Sequence, residues 1–158
     1  MIKLVISGLF ILLAGFRPCH IKKIWLFSKT QYSGNIPKSA AGQPSRGYTQ
    51  RLIVYIEISK TDESPQWQSV YINDEKHVVN MLPVGADSVQ MGPAKNSRVP
   101  IVLKAASGNK LVLLEVAANE NINITSQITF ELEGLLNKKQ VHFKSNEPVV
   151  ELSPALMP

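Results

Sequence analysis

The sequence predicts an all-β domain, an antiparallel two-sheet sandwich of immunoglobulin-like or related type. It should hold about eight or nine short strands behind an N-terminal signal segment. Three observations predict this. Apolar and polar residues alternate with period two in one segment after another, as in strands with one buried and one wet face. Turn sequences rich in Asn, Asp and Gly separate those segments. Beyond the N-terminus no segment carries an apolar i, i+3, i+4, i+7 stripe, so no amphipathic helix is expected. The turns are irregularly spaced and two connections are long, which favours a sandwich over a barrel. No internal repeat suggests a propeller or a solenoid.

Residues 1–16 come first. Lys3 precedes an uncharged run of mostly apolar residues that ends at Phe16, followed by Arg17-Pro18. A charged start and an apolar run of about 13 residues describe a secretory signal, and the run is short for a membrane span. A buried core segment is the rival reading; Lys3 before the run and Arg17-Pro18 after it favour the leader. Ala14 or Gly15 offers the small residue wanted at a cleavage site, but Leu12 or Leu13 then stands two residues earlier, where a small side chain is also preferred. We therefore divide the chain into residues 1–19, a signal peptide or short membrane anchor, and residues 20–158, a single β-sandwich domain. The expected location is outside the cytoplasm: periplasmic, cell-surface or secreted. Membrane contact is expected only through the N-terminal segment.

Cys19 is the only cysteine, so no internal disulfide can form. A lone cysteine near the end of a leader is a candidate for lipidation. Leu13-Ala14-Gly15 has the character of the triplet that precedes a lipid-modified cysteine. However, Phe16-Arg17-Pro18 separates it from Cys19, which favours a spare thiol or one lost with the signal.

The strands follow in order. The first carries Trp25 and Phe27 on one face and either ends near Lys29 or runs on through Tyr32. A connection rich in Gly and Pro, residues 29–50, comes next. Residues 51–58 place Leu52, Val54, Ile56 and Ile58 on one face. Ile53 and Tyr55 on the other imply that this second face is partly covered too. Residues 70–72 and 78–82 form short strands around a tight hairpin at Asn73-Asp74-Glu75. Residues 83–98 form the second long connection, in which Val89 and Met91 suggest a weak edge strand. Residues 99–103 and 111–116 are expected to be strands joined by a hairpin at Ser107-Gly108-Asn109. Residues 121–134 show the clearest alternation: Ile122, Ile124, Ile128, Phe130 and Leu132 share one parity, with Ser126 the polar member. A turn within residues 134–139 leads to strands at 140–145 and 149–152. The long connections 29–50 and 83–98 are binding-rim candidates, with mobile linkers as the plainer reading.

Apolar residues make up 44% of the chain, which excludes disorder. The formal charge is +5, and loss of Lys3 with the signal lowers it. The lysines are scattered, with no run longer than two, so the clustered basic stripe of a nucleic-acid surface is missing.

Catalytic signatures are absent. His20, His77 and His142 lie on separate segments without metal-ligand spacing. There is no nucleophile elbow and no phosphate loop. Asp62, Asp74 and Asp87 fall in expected turns, where the carboxylate caps nearby backbone. Glu131 and Glu133 share a strand face at a spacing a glycosidase pair would need, and an acidic wet face is the simpler explanation. A hydrolase would need a dispersed site. No cofactor and no metal is expected. The ligand-contact candidates are the aromatics Trp25, Trp67, Tyr32 and Tyr48, which suit sugar rings or a protein partner if exposed. Filling the core is the competing role for both tryptophans. Asn123-Ile124-Thr125 matches a glycosylation triplet, usable only in a eukaryotic secretory route.

The segments Lys-Ile-Trp-Leu-Phe-Ser-Lys-Thr-Gln-Tyr-Ser-Gly-Asn-Ile-Pro (23–37), Tyr55-Ile56-Glu57, Pro65-Gln66-Trp67 and Leu-Lys-Ala-Ala-Ser-Gly-Asn-Lys (103–110) resemble small exported β-rich proteins of Bacteroidetes-type bacteria. The resemblance covers most of the mature chain. It implies export and a β-rich domain and transfers no site residue. The function expected from all this is a non-enzymatic binding or interaction module at the cell envelope, with an envelope protein or a glycan as partner. The alternatives are a carbohydrate-binding accessory and an assembly component that pairs through a sheet edge.

Overall fold

The structure is a computed structural model that describes residues 21–32, 48–77, 79–117 and 124–154. The expected signal segment, Cys19, His20, Ile122, Asn123 and the middle of the 29–50 connection lie outside these residues. Eleven strands are present: β1 Lys23–Tyr32, β2 Tyr48–Ser59, β3 Gln66–Ile72, β4 Glu75–His77, β5 Val79–Ala86, β6 Ser88–Pro93, β7 Pro100–Lys104, β8 Asn109–Ala117, β9 Phe130–Leu136, β10 Lys139–Ser145 and β11 Val149–Leu152. One sheet has the order β11-β1-β2-β8-β5, a second β10-β9-β3-β4, and β6 and β7 form a two-stranded ribbon. Setting β11 aside, the two orders are those of the immunoglobulin-like Greek key. The ribbon is inserted between β5 and β8.

The period-two pattern decides the layers. Leu26, Leu52, Val54, Ile56, Leu114 and Val116 point from the first sheet onto Val70, Ile72, Phe130, Leu132 and Leu136 of the second, making the main core. The opposite parity of the first sheet is apolar as well. Phe27, Tyr55, Leu111 and Leu152 pack with Leu103, Val89, Met91 and Ile101 of the ribbon in a second, smaller core. The apolar second face of residues 51–58 is thus covered, as expected, and the cover is the β6–β7 ribbon. Glu57 lies on this covered face; its carboxylate accepts hydrogen bonds from the Ala106 backbone N–H at 2.9 Å and the Asn109 amide at 2.7 Å. These bonds tie the turn after β7 to β2.

Several expectations need correction. Eleven strands lie among the described residues, more than the eight or nine expected. The pairing is antiparallel throughout except between β1 and β11, which run parallel with Leu26 beside Val149 and Lys29 beside Leu152. The 83–98 connection is mostly strand: β5 continues to Ala86, and β6 pairs with β7. The weak edge strand at Val89 and Met91 is β6. The 29–50 connection shortens at both ends, because β1 reaches Tyr32 and β2 begins at Tyr48 opposite it.

The turn at Ser107-Gly108-Asn109 is tight, with Gly108 at φ 82°, but the strands it joins belong to different sheets. β7 leaves for the ribbon because Leu103 fits the second core, while β8 returns beside β2. Among its described residues, the long alternating segment is strand only from Phe130. Residues 124–129 instead cross from one sheet to the other. The Ile124 N–H reaches Gln50 of β2, the Ser126 carbonyl accepts from Val149 of β11, and the Thr129 carbonyl accepts from Asn73 beside β3. Those partners lie in different layers, so no ladder can form, although Ile124 and Ile128 remain buried. Of the expected hairpins, Asn73-Asp74 joins β3 to β4 with both residues at positive φ, 50° and 68°. Glu75 belongs to β4.

Candidate functional site

Two sheet margins differ in a way that bears on function. β11 lies at one margin of the first sheet, and part of its outward backbone is bonded to other segments of the chain. The Val149 N–H donates to the Ser126 carbonyl, the Glu151 carbonyl accepts from Lys95, and the Ser153 N–H donates to the Pro93 carbonyl. A Lys95–Glu151 ion pair at 2.9 Å reinforces these contacts, and Glu151 holds the Lys95 ammonium above the ordinary lysine pKa.

β10 lies at one margin of the second sheet, and its outward groups stay open. Asn137 and Lys138, both at positive φ (51° and 62°), make the two-residue turn that sets Leu136 opposite Lys139. In such a hairpin the flanking pair exchanges both backbone bonds, and hydrogen-bonded pairs then alternate along the ladder. Lys139, Val141, Phe143 and Ser145 therefore bond to β9. Gln140, His142 and Lys144 aim N–H and C=O away from the sheet, and among the described residues no backbone group meets them.

Side chains follow the same alternation. Val141 and Phe143 face the core half-buried, whereas Gln140, His142 and Lys144 are exposed on the outer face. A groove of about 300 Å³ runs between this edge and the start of β1, with Ile24 and Phe143 among its walls and Lys22, Lys23 and Lys144 around it, Glu147 at one end.

Glu131 of β9 organises the outer face beside the edge. Its carboxylate is hydrogen-bonded by the Lys144 ammonium and, at 3.3 Å, by His142 Nε2. The Lys144 bond, then the His142 bond, hold the Glu131 carboxyl below the ordinary glutamate range, and Glu131 raises Lys144 in return. A carboxylate with a depressed folded pKa contributes stability above its unfolded value, and loses it as pH falls through the folded value. The stability deficit of Glu131→Gln should therefore hold from pH 7 to about 5 and close below about 4.3. Urea melts at stepped pH check this; a deficit that persists at pH 2 contradicts it.

The structure does not gather the predicted aromatic residues into one site. Trp25 is half-buried against the second core, with Lys23 Nζ 4.8 Å from its ring centroid. Trp67 is half-buried against the main core, on the other sheet. A bulge between Trp67 and Ser69 turns its side chain inward. There it lies over Gly134, where an added Cβ would fall 2.8 Å from the indole. Tyr32 is exposed at 60%, on the β1 parity opposite to Trp25, and pairs in register with Tyr48.

Asp62 caps the Ser59 N–H, as the turn reading expects, and also accepts from the Asn137 amide at 2.7 Å. That second bond ties the β2–β3 corner to the β9–β10 hairpin. No group of three or more His, Cys, Asp or Glu side chains converges among the described residues. His142 is exposed, as its alternation implies. His77 is buried at the end of β4, and neither ring nitrogen has a hydrogen-bond partner among the described residues. An unsatisfied buried polar group destabilises by about 1–3 kcal/mol. His77→Leu should therefore raise the urea midpoint at unchanged slope, and a lowered midpoint would show that the ring has a partner.

The edge groove was not anticipated from the sequence. Its faint trace is a strand with Lys139, His142 and Lys144 and no acid, following Asn137-Lys138. No family model, curated protein or solved structure matches this chain.

Proposed function

We propose that the protein is an exported, non-enzymatic interaction module of the cell envelope that engages a protein partner through the free edge of β10. The observation that carries this reading is the contrast between the two margins: backbone bonds from other segments reach β11, and among the described residues none reaches the outward groups of β10, which lie beside a groove. An exposed strand edge is a template for another chain, and most proteins blunt or cover it. The leader-like start of the sequence supports export. A carbohydrate-binding role is the second reading, favoured by the exposed Tyr32 in register with Tyr48.

Intact mass spectrometry of the native protein, after separating membrane from soluble fractions, tests the location. A chain beginning between Phe16 and His20 in the soluble envelope fraction is the expected result. Added acyl mass on a chain that begins at Cys19 would move the module onto a membrane face. An uncleaved chain in the cytoplasm would overturn export.

A further inference from the structure

We infer that the occupant of the β10 edge is an extended acidic segment of a partner protein, added as a further strand; this deepens the edge reading above and rests on it. The geometry supplies three kinds of contact. Gln140, His142 and Lys144 offer unpaired backbone donors and acceptors in the spacing a new strand needs. Alternate side chains of that strand would enter the groove against Phe143 and Ile24. The remaining side chains would face outward beside the β10 row.

Charge selects the partner. β10 carries two lysines and no acid, Lys138 precedes it, and Lys22 lies across the groove, whereas the Lys23 ammonium sits over the Trp25 ring. The opposing charges nearby are Glu131, already hydrogen-bonded to Lys144 and His142, Asp74 within electrostatic reach of Lys144, Glu133 beside His142 in the ladder, and Glu147 at the groove's end. A second copy of this chain would bring the same basic row. In antiparallel pairing centred on His142, each Lys144 would stand opposite the other copy's Gln140 and each Lys139 opposite its Ser145, so neither lysine would gain an acid. An acidic strand meets the lysines instead, which speeds encounter and fixes register.

The test is an NMR titration of the isotope-labelled protein, purified as the cell processes it. Three acetylated octapeptides serve as probes, alternating valine with glutamate, with glutamine or with lysine. The Val-Glu peptide should shift the amides of Gln140, His142 and Lys144 and bind about tenfold more tightly than the Val-Gln peptide at low salt. The gap should narrow as salt rises. The variant K22Q, which changes an exposed side chain beside the groove, should remove a measurable part of that advantage, while the Val-Gln peptide still shifts the β10 amides. Equal binding of the Val-Gln peptide at β10 would overturn the acidic preference and leave the edge reading standing. If no peptide shifts those amides at millimolar concentration, both are overturned. Shifts at the same amides on concentrating the protein alone would assign the edge to a second copy and overturn the acidic partner.

Discussion

Truncating Phe130 to alanine should lower the unfolding free energy by about 3–5 kcal/mol. Phe130 is fully buried and is the largest such side chain. It opens β9 with Ile72 of β3 on one side and Ser145 of β10 on the other. Its removal leaves a cavity in the middle of the second sheet that rigid neighbouring strands cannot collapse to fill. A single domain of this size holds only about 5–15 kcal/mol, so the loss takes a large share. Urea denaturation measures it directly. Phe143→Ala, on the half-buried edge, should cost clearly less, and equal losses at the two positions would contradict the layer assignment.

Gly134→Val should destabilise by about 3 kcal/mol for the opposite reason, overpacking. A Cβ at this position would lie 2.5 Å from the Gln66 carbonyl oxygen and 2.8 Å from the Trp67 Cα. Both are backbone atoms of the neighbouring strand, and they cannot move aside without breaking the β3–β9 ladder. Trp67→Ala relieves only the third contact, with the indole. The double variant should therefore recover part of the loss and not all of it. Full recovery would show that the tryptophan ring alone sets the constraint, and no loss in the single variant would contradict the close approach.

These two positions show what was legible in the sequence. Phe130 and Leu132 declare their burial by simple alternation, and the same rule found the faces of β2, β8 and the start of β1. The covered second face was legible because Ile53 and Tyr55 are apolar where a wet face would be polar. Trp67 packs on the core, as the competing role allowed, but its face could not be read by alternation from Val70, because the bulge between Trp67 and Ser69 reverses parity without leaving a mark in composition. Gly134 carried the better signal, since a glycine within a strand pattern marks a close backbone approach. Residues 124–129 keep the alternation of a strand because Ile124 and Ile128 are buried, yet their backbone crosses between sheets. Periodicity reports burial, and hydrogen-bond partners decide strand. The ribbon and the parallel β1–β11 pair depend on contacts distant in sequence, so neither could be read locally. The candidate edge was invisible for the same reason: whether β10 is a margin depends on which strand fails to pair with it.

The central claim is that the β10 edge is open while backbone bonds from other segments reach β11, and amide hydrogen exchange of the isolated protein tests it residue by residue. Exchange should alternate along β10, fast at Gln140, His142 and Lys144 and slow at Val141 and Phe143. It should also be slow at Val149 and Ser153, which donate to Ser126 and Pro93. Equal protection of Gln140, His142 and Lys144 with their neighbours would contradict the claim, because that edge would already be covered in the free protein.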